Sequence, residues 1–132
     1  MKNSSIKAGI TIMAADSMGT AAGKSKSLRT GYIADGSRDP EALGNKGFLL
    51  DPPRIDNTSD LADRELGDLT TRSGPDPRHG GRSNFAFCDG SVRKLYAIEA
   101  GYAIGPQEEV LPSGNNKFFS GNGEDKLPPS AD

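Results

Sequence analysis

The apolar residues of this chain fall into short runs separated by glycine, proline and small polar residues. Residues 10–15 (ITIMAA) are β-branched or apolar and lie between a glycine and an aspartate, a pattern that predicts a buried strand. Residues 32–34 predict a second short strand, and residues 48–50 a third that ends before two prolines. The pattern therefore favours several short strands over long helices.

Two segments have the end signals of short helices. Residues 39–44 begin with Asp-Pro and end with glycine, which predicts a single helical turn. Residues 59–66 (SDLADREL) are the best helix candidate, because Ser59 or Asp60 can cap the first turn and the two leucines lie near one face. Gly67 then ends the helix.

A β-hairpin is the clearest prediction in the chain. Residues 83–88 and 92–98 both have strand patterns, and Asp89 and Gly90 lie near their junction. Asp-Gly is a preferred pair for a two-residue type I′ turn, whose central positions both need positive φ. We therefore predict a tight two-residue turn at this dipeptide.

The two-residue turn fixes a register for the hairpin. Phe87 would lie opposite Val92 and Phe85 opposite Lys94, so that the side chains pack across the strands. Phe85 and Phe87 are thus predicted core residues.

The elements together predict an α+β fold, a small and mainly antiparallel β-sheet domain with one or two short helices and long irregular loops. We place this single domain at residues 1–104. Residues 105–132 are rich in Pro, Gly, Asn and Ser and predict an extended tail that touches the domain through Phe118 and Phe119.

The composition predicts a small hydrophobic core and gives no sign of a nucleic-acid or membrane partner. Only 33% of the residues are hydrophobic, there is no Trp, and Gly and Pro number 17 and 9. The 16 basic and 18 acidic residues are mixed along the chain, so no nucleic-acid-binding surface is indicated. No run approaches the roughly 20 apolar residues of a membrane span, and no signal-peptide core is visible.

Cys88, the only cysteine, excludes an intrachain disulfide and a multi-cysteine zinc site. Its apolar neighbours predict a buried core position. Residues 19–25 (GTAAGKS) resemble a phosphate-binding loop, but three residues rather than four separate the glycines and no periodic helix follows. We predict a flexible loop there and no cofactor.

His79 is the only histidine, so any histidine-dependent chemistry would use it. A metal site with Asp16 or Asp89 would have too few ligands, and no Gly-x-Ser-x-Gly elbow is present. A strand of about 20 Å would separate His79 from Asp89, which disfavours a dyad. We expect the imidazole to bond backbone near the Gly-Gly bend, Asp89 to accept amides in its turn, and no residue to be catalytic or to bind a cofactor or metal.

Residues 79–93 (HGGRSNFAFCDGSVR) resemble the motif of prepilin-type, pseudopilin-like proteins, in which a histidine, two glycines and an asparagine precede an apolar strand and a terminal Asp-Gly. The spacing is a histidine, nine residues and Asp-Gly. Residues 12–17 resemble the upstream strand of the family, which tends to end in Ala-Asp-Ser. The matching positions are taken as structural: His79, Gly80, Gly81, Asn84, Phe85, Phe87, Asp89, Gly90 and Val92.

The resemblance implies the globular head of a bacterial pseudopilin: a non-enzymatic structural protein in cell-surface or type II secretion-related assembly, located in the envelope or at the surface. Its partners would be other pseudopilin-like subunits or itself. Relatives begin with a cleavage site and a hydrophobic helix; neither is visible here, which leaves a head-only version, a truncated version or a lost assembly role. An alternative is a small metal-dependent binding protein or hydrolase using His79, Asp16 and Asp89. An accessory domain without activity is a third reading.

Overall fold

The computed structural model describes residues 6–19, 22–29, 50–55 and 72–128. Within these residues, five short strands form a three-stranded and a two-stranded antiparallel sheet. The larger sheet has the order β1-β2-β3 and the smaller one pairs β4 with β5. The strands are β1 (Ile12–Ala15), β2 (Ser83–Phe87), β3 (Val92–Leu95), β4 (Ala103–Ile104) and β5 (Val110–Leu111).

The central strand β2 alternates between the interior and the outer face of the sheet. Ser83, Phe85 and Phe87 are buried, as the period of two in a strand requires. On one side β2 pairs with β1, with an irregularity between Ile12 and Ala14. The strand predicted over residues 10–15 is therefore shorter, because the residues before Thr11 form a 3-10 turn.

The hairpin between β2 and β3 is present, but its predicted two-residue turn is wrong. The amide of Gly90 donates to the carbonyl of Phe87 (2.9 Å), and the amide of Phe87 donates to the carbonyl of Ser91 (2.8 Å). Gly90 has φ +86°, whereas Asp89 is not among the described non-glycine residues with positive φ. This is a three-residue loop that ends in a left-handed glycine, the second common way to close a hairpin.

The longer loop shifts the register of the hairpin by one residue. Ala86 faces Val92 and Phe85 faces Arg93, instead of the predicted pairs. Val92 is consequently 65% exposed on the outer face. On the inner side, the guanidinium of Arg93 lies 4.1 Å from the ring centroid of Phe87 and covers it.

Aromatic side chains of β2 and of the C-terminal part of the chain pack together in the core. Phe85 and Phe87 are fully buried, as predicted. Phe118 meets Phe87 edge to face, with ring centroids 6.3 Å apart. Phe119 meets the buried Tyr102 in the same way at 5.7 Å. The two aromatics of the predicted tail thus pack against the core.

The predicted α+β class, with one or two short helices, is wrong for the described residues. Their only helical elements are two lone 3-10 turns, Ala8–Ile10 and Lys26–Leu28, and the rest is antiparallel strand, turn and loop. Both turns bury no residue, so they add nothing to the core. The predicted helices and the strand at 32–34 lie outside the described residues, as does most of the strand at 48–50.

The smaller sheet spans the predicted domain boundary between residues 104 and 105. Ala103 pairs with Leu111 and Ile104 with Val110, so the boundary falls between β4 and β5. Val110 is buried in the core, and its amide donates to the carbonyl of Ala22 at 2.8 Å.

Asn116 joins the C-terminal segment to the rest of the molecule. Its side chain is buried; the amide oxygen accepts from the Arg54 N–H (2.7 Å), and the amide nitrogen donates to the carbonyls of Arg54 (2.8 Å) and Lys126 (2.7 Å). The backbone N–H of Asn116 donates to Oδ1 of Asp125 at 2.8 Å. These bonds compensate for burying an amide in a core poor in apolar residues.

A second buried polar group lies beneath β5. Arg72 is fully buried and donates to the carbonyls of Pro52 (2.7 Å), Pro53 (3.1 Å) and Leu111. The Tyr102 hydroxyl donates to the carbonyl of Asp51 at 2.6 Å, and burial raises the pKa of this tyrosine well above its ordinary value. Buried side chains therefore hydrogen-bond several backbone carbonyls in this region of the molecule.

In the described part of the chain, no helix is long and apolar enough to span a bilayer.

Candidate functional site at the histidine motif

The histidine motif opens with a tight turn at residues 79–82. His79 and Arg82 exchange both backbone hydrogen bonds, at 3.0 and 3.4 Å. Gly80 and Gly81 occupy the two central positions with φ +65° and +85°. Positive φ at both positions is what a type I′ turn requires, and Gly-Gly supplies it without strain. The type I′ turn that we predicted at Asp89-Gly90 is therefore found at Gly80-Gly81.

Asp16, which follows β1, binds two elements of the motif. Its Oδ2 atom lies 3.0 Å from Nε2 of His79 and accepts from the Asn84 N–H at 3.1 Å. Its backbone N–H donates to the Asn84 carbonyl at 3.1 Å. Both side chains of this contact are partly exposed. We predicted that the imidazole bonds backbone near the Gly-Gly bend; the partner of its Nε2 atom is instead the carboxylate of Asp16, which follows β1.

The loop before the turn is held by Asp76. Its carboxylate accepts from both Nε (3.0 Å) and Nη2 (2.6 Å) of Arg78, and this hydrogen bonding raises the pKa of Arg78 above its ordinary value. The Asp76 carbonyl accepts from the Ser83 hydroxyl at 2.7 Å, and its N–H donates to the Asp16 carbonyl at 2.8 Å. These contacts bind the loop to both β1 and β2.

Asp89 lies at the other end of β2, away from His79. Its Oδ1 atom accepts from the Ser91 N–H (2.9 Å) and hydroxyl (2.6 Å), and these bonds lower the pKa of Asp89. This is the local role that the sequence predicts for an aspartate in a turn. The structure therefore brings together only two members of the alternative set, His79 and Asp16. The neighbouring Cys88 is exposed, so its predicted burial is wrong.

The second glycine of the motif turn lies against an aromatic side chain. A Cβ atom added at Gly81 would lie 3.4 Å from Cε1 of Tyr96. The guanidinium of Arg82 lies 4.7 Å from the centroid of the same ring. The turn and Tyr96 thus form one wall of a largely apolar pocket of about 170 Å³. Its lining is Met18, Arg29, Pro75, Pro77, Gly81, Tyr96, Ala97, Ile98, Ile104, Glu108 and Val110.

Sequence reasoning missed this pocket, since its lining comes from four separated parts of the chain. The one local signal was Tyr96-Ala97-Ile98, an apolar run at the end of a predicted strand, where β3 in fact ends at Leu95. The nearby Arg29 donates to the carbonyls of Lys24 (3.3 Å) and Glu108, and burial lowers its pKa.

Neither a group of metal ligands within the described ranges nor a match to a known protein assigns a function to this site. Among the described residues, no three His, Cys, Asp or Glu side chains are grouped so as to hold a metal ion. Comparisons with protein-family models, curated proteins and solved structures found no match to this chain. The resemblance to pseudopilin-like proteins therefore stays a prediction from the motif residues.

Proposed function

We propose that this chain is a non-enzymatic structural protein, the globular head of a pseudopilin-like subunit in surface or secretion-related assembly. The observation that carries the proposal is the contact between the two segments on which the resemblance rests. Asp16, from the Ala-Asp-Ser sequence in which β1 ends, bonds both His79 and the backbone of Asn84 from the histidine motif. Two matching segments far apart in sequence thus form one structural unit.

The way in which the motif side chains are used also supports a structural role. Asp89 accepts hydrogen bonds within its own turn, and the two glycines of the motif form the type I′ turn. Phe85 and Phe87 fill the core. Each of these residues stabilises a turn or the core, so the presence of the motif can be explained without a catalytic role.

The alternative is a metal-dependent binding protein or hydrolase using His79, Asp16 and Asp89. It has less support because Asp89 lies beyond the opposite end of β2, roughly 15 Å of strand from the contact between His79 and Asp16. Calorimetry with Zn²⁺ or Mn²⁺ tests it directly. A saturable micromolar site that disappears in His79→Ala would favour the alternative over the structural role.

The structural role is tested in cells that produce the protein from its own gene. We expect an epitope-tagged protein to fractionate with the envelope, and cross-linking to capture other pseudopilin-like subunits or copies of the chain itself. A protein found wholly in the cytoplasm would contradict the proposal. So would hydrolysis of model esters or phosphate esters that is lost in His79→Ala.

A further inference from the structure

The pocket beside the motif turn has the size of one side chain. Its volume is about 170 Å³. An apolar cavity of about 150 Å³ holds a molecule the size of benzene, whereas sites for drug-sized ligands measure about 300–1,000 Å³. The lining includes Pro75, Pro77, Ile104 and Val110 and is mostly apolar. A single large aliphatic or aromatic group is therefore the occupant that fits.

A side chain of that kind protrudes at the rim of the pocket. Ile98 is 69% exposed, in the turn that follows β3. Tyr96 beside it is 45% exposed and has Arg82 stacked on its ring. Tyrosine and arginine are enriched in the anchor regions of protein interfaces, and here they lie beside an exposed isoleucine and an apolar depression.

The charges at the pocket are of both signs. Arg29 and Glu108 both belong to the lining, and Lys26 forms an ion pair with Glu108 at 2.9 Å. A two-fold interface places the same patch of both subunits face to face, so the patch must be complementary to itself, as a patch with a protrusion, a depression and charges of both signs can be. This surface has all three. The net charge of −2 gives little long-range repulsion between copies.

We propose that the pocket and the exposed Ile98 form a two-fold dimer interface, in which Ile98 of each copy enters the pocket of the other. An anionic small molecule fits less well, because Glu108, Glu109 and Asp76 lie near enough to Arg29 to affect its ionisation. The inference rests on the proposed function, since it names a second copy of the chain as the partner of an assembly subunit.

Sedimentation velocity of the purified chain from micromolar to millimolar concentration tests the interface. We expect the dimer fraction to rise with concentration, and Ile98→Asp to raise the dimer Kd by about tenfold or more, as for an anchor residue. Met13→Asp is the matched control: Met13 is 66% exposed, lies on β1 and does not line the pocket. It should leave the dimer Kd unchanged.

Methyl NMR gives a second readout that does not depend on a variant. Resonances of Ile104 and Val110 in the pocket should shift with protein concentration, while the methyl resonance of Met13 should not. A chain that stays monomeric at millimolar concentration, or a dimer weakened equally by both substitutions, would overturn the interface. Envelope fractionation would still report on the proposed function, so the two failures can be told apart.

Discussion

Nε2 of His79 lies 3.0 Å from Oδ2 of Asp16, and this contact links the histidine motif to the end of β1. The same carboxylate oxygen accepts from the Asn84 N–H, so one aspartate holds both the motif turn and the start of β2. Loss of this carboxylate should therefore disturb more of the fold than loss of the imidazole.

The first prediction is that His79 is coupled to Asp16 and not to Asp89. A double-mutant cycle of His79→Ala and Asp16→Ala should give a coupling of about 0.5–1 kcal/mol, the range for a partly exposed polar contact. Asp16→Ala alone should cost about 1–2 kcal/mol, because it also leaves the Asn84 N–H without its acceptor. Denaturant melts measure both quantities.

The matched control is the cycle of His79→Ala with Asp89→Ala. The two effects should add, since the Asp89 carboxylate accepts from Ser91 within its own turn and β2 separates it from His79. Coupling between His79 and Asp89, or no coupling between His79 and Asp16, would refute the prediction that His79 is coupled to Asp16 and not to Asp89.

The second prediction concerns Gly90. Because its φ is +86° and a Cβ atom would meet nothing within 4 Å, substitution acts through backbone strain alone. Gly90→Val should destabilise the protein by more than about 1 kcal/mol. Gly90→Asn should cost less, since asparagine tolerates the left-handed region. Equal stabilities of the two variants would show that strain at this position is not the cause.

The sequence predicted the hairpin but not its register, and the reason lies in one dihedral angle. Asp-Gly suits a two-residue turn only if both residues have positive φ; here Gly90 does and Asp89 does not. The alternation that buries Phe85 and Phe87 is the same in both registers, so it could not decide between them. The identity of the core was therefore predictable, and the cross-strand partners were not.

The third prediction follows from the observed register. Phe85→Ala should destabilise by about 3–5 kcal/mol, because it empties a fully buried position. Val92→Ala should cost less than about 0.5 kcal/mol, because Val92 is 65% exposed. The register predicted from a two-residue turn would instead have buried Val92 against Phe87. A large loss of stability in Val92→Ala would favour that register over the one in the structure.

The candidate site was less predictable than the core because its contacts are not local. The turn signals at Gly80-Gly81 and Asp89-Gly90 are visible in the sequence. By contrast, the partner of His79 is Asp16, which is distant from it in sequence, and the pocket takes its lining from parts of the chain that only the fold brings together. The fully buried Arg72 was missed for a similar reason, since its carbonyl acceptors include Pro52 in a loop and Leu111 in β5, both distant from it in sequence.

The fourth prediction is a pH dependence that originates at Asp125. The backbone N–H of Asn116 donates to its carboxylate, and Arg54 adds a side-chain hydrogen bond and an opposite charge. These contacts lower the pKa of Asp125 below its ordinary value of 3.8. A carboxyl group with a lower pKa in the folded state binds protons more weakly there than in the unfolded chain. Its contribution to stability is therefore complete above the unfolded pKa and is lost as the pH falls through 3.8 towards the folded value.

Asp125→Asn isolates this contribution from those of Asp89 and Glu124, whose pKa values are also lowered. At neutral pH the variant should be less stable than the wild type, because the amide keeps an acceptor for Asn116 but loses the charge that faces Arg54. The difference in unfolding free energy should stay constant down to about pH 5 and then shrink as Asp125 of the wild type takes up its proton. Urea melts of both proteins between pH 7 and pH 2.5 measure this difference. A gap that does not change with pH would mean that the carboxylate charge contributes nothing at this position.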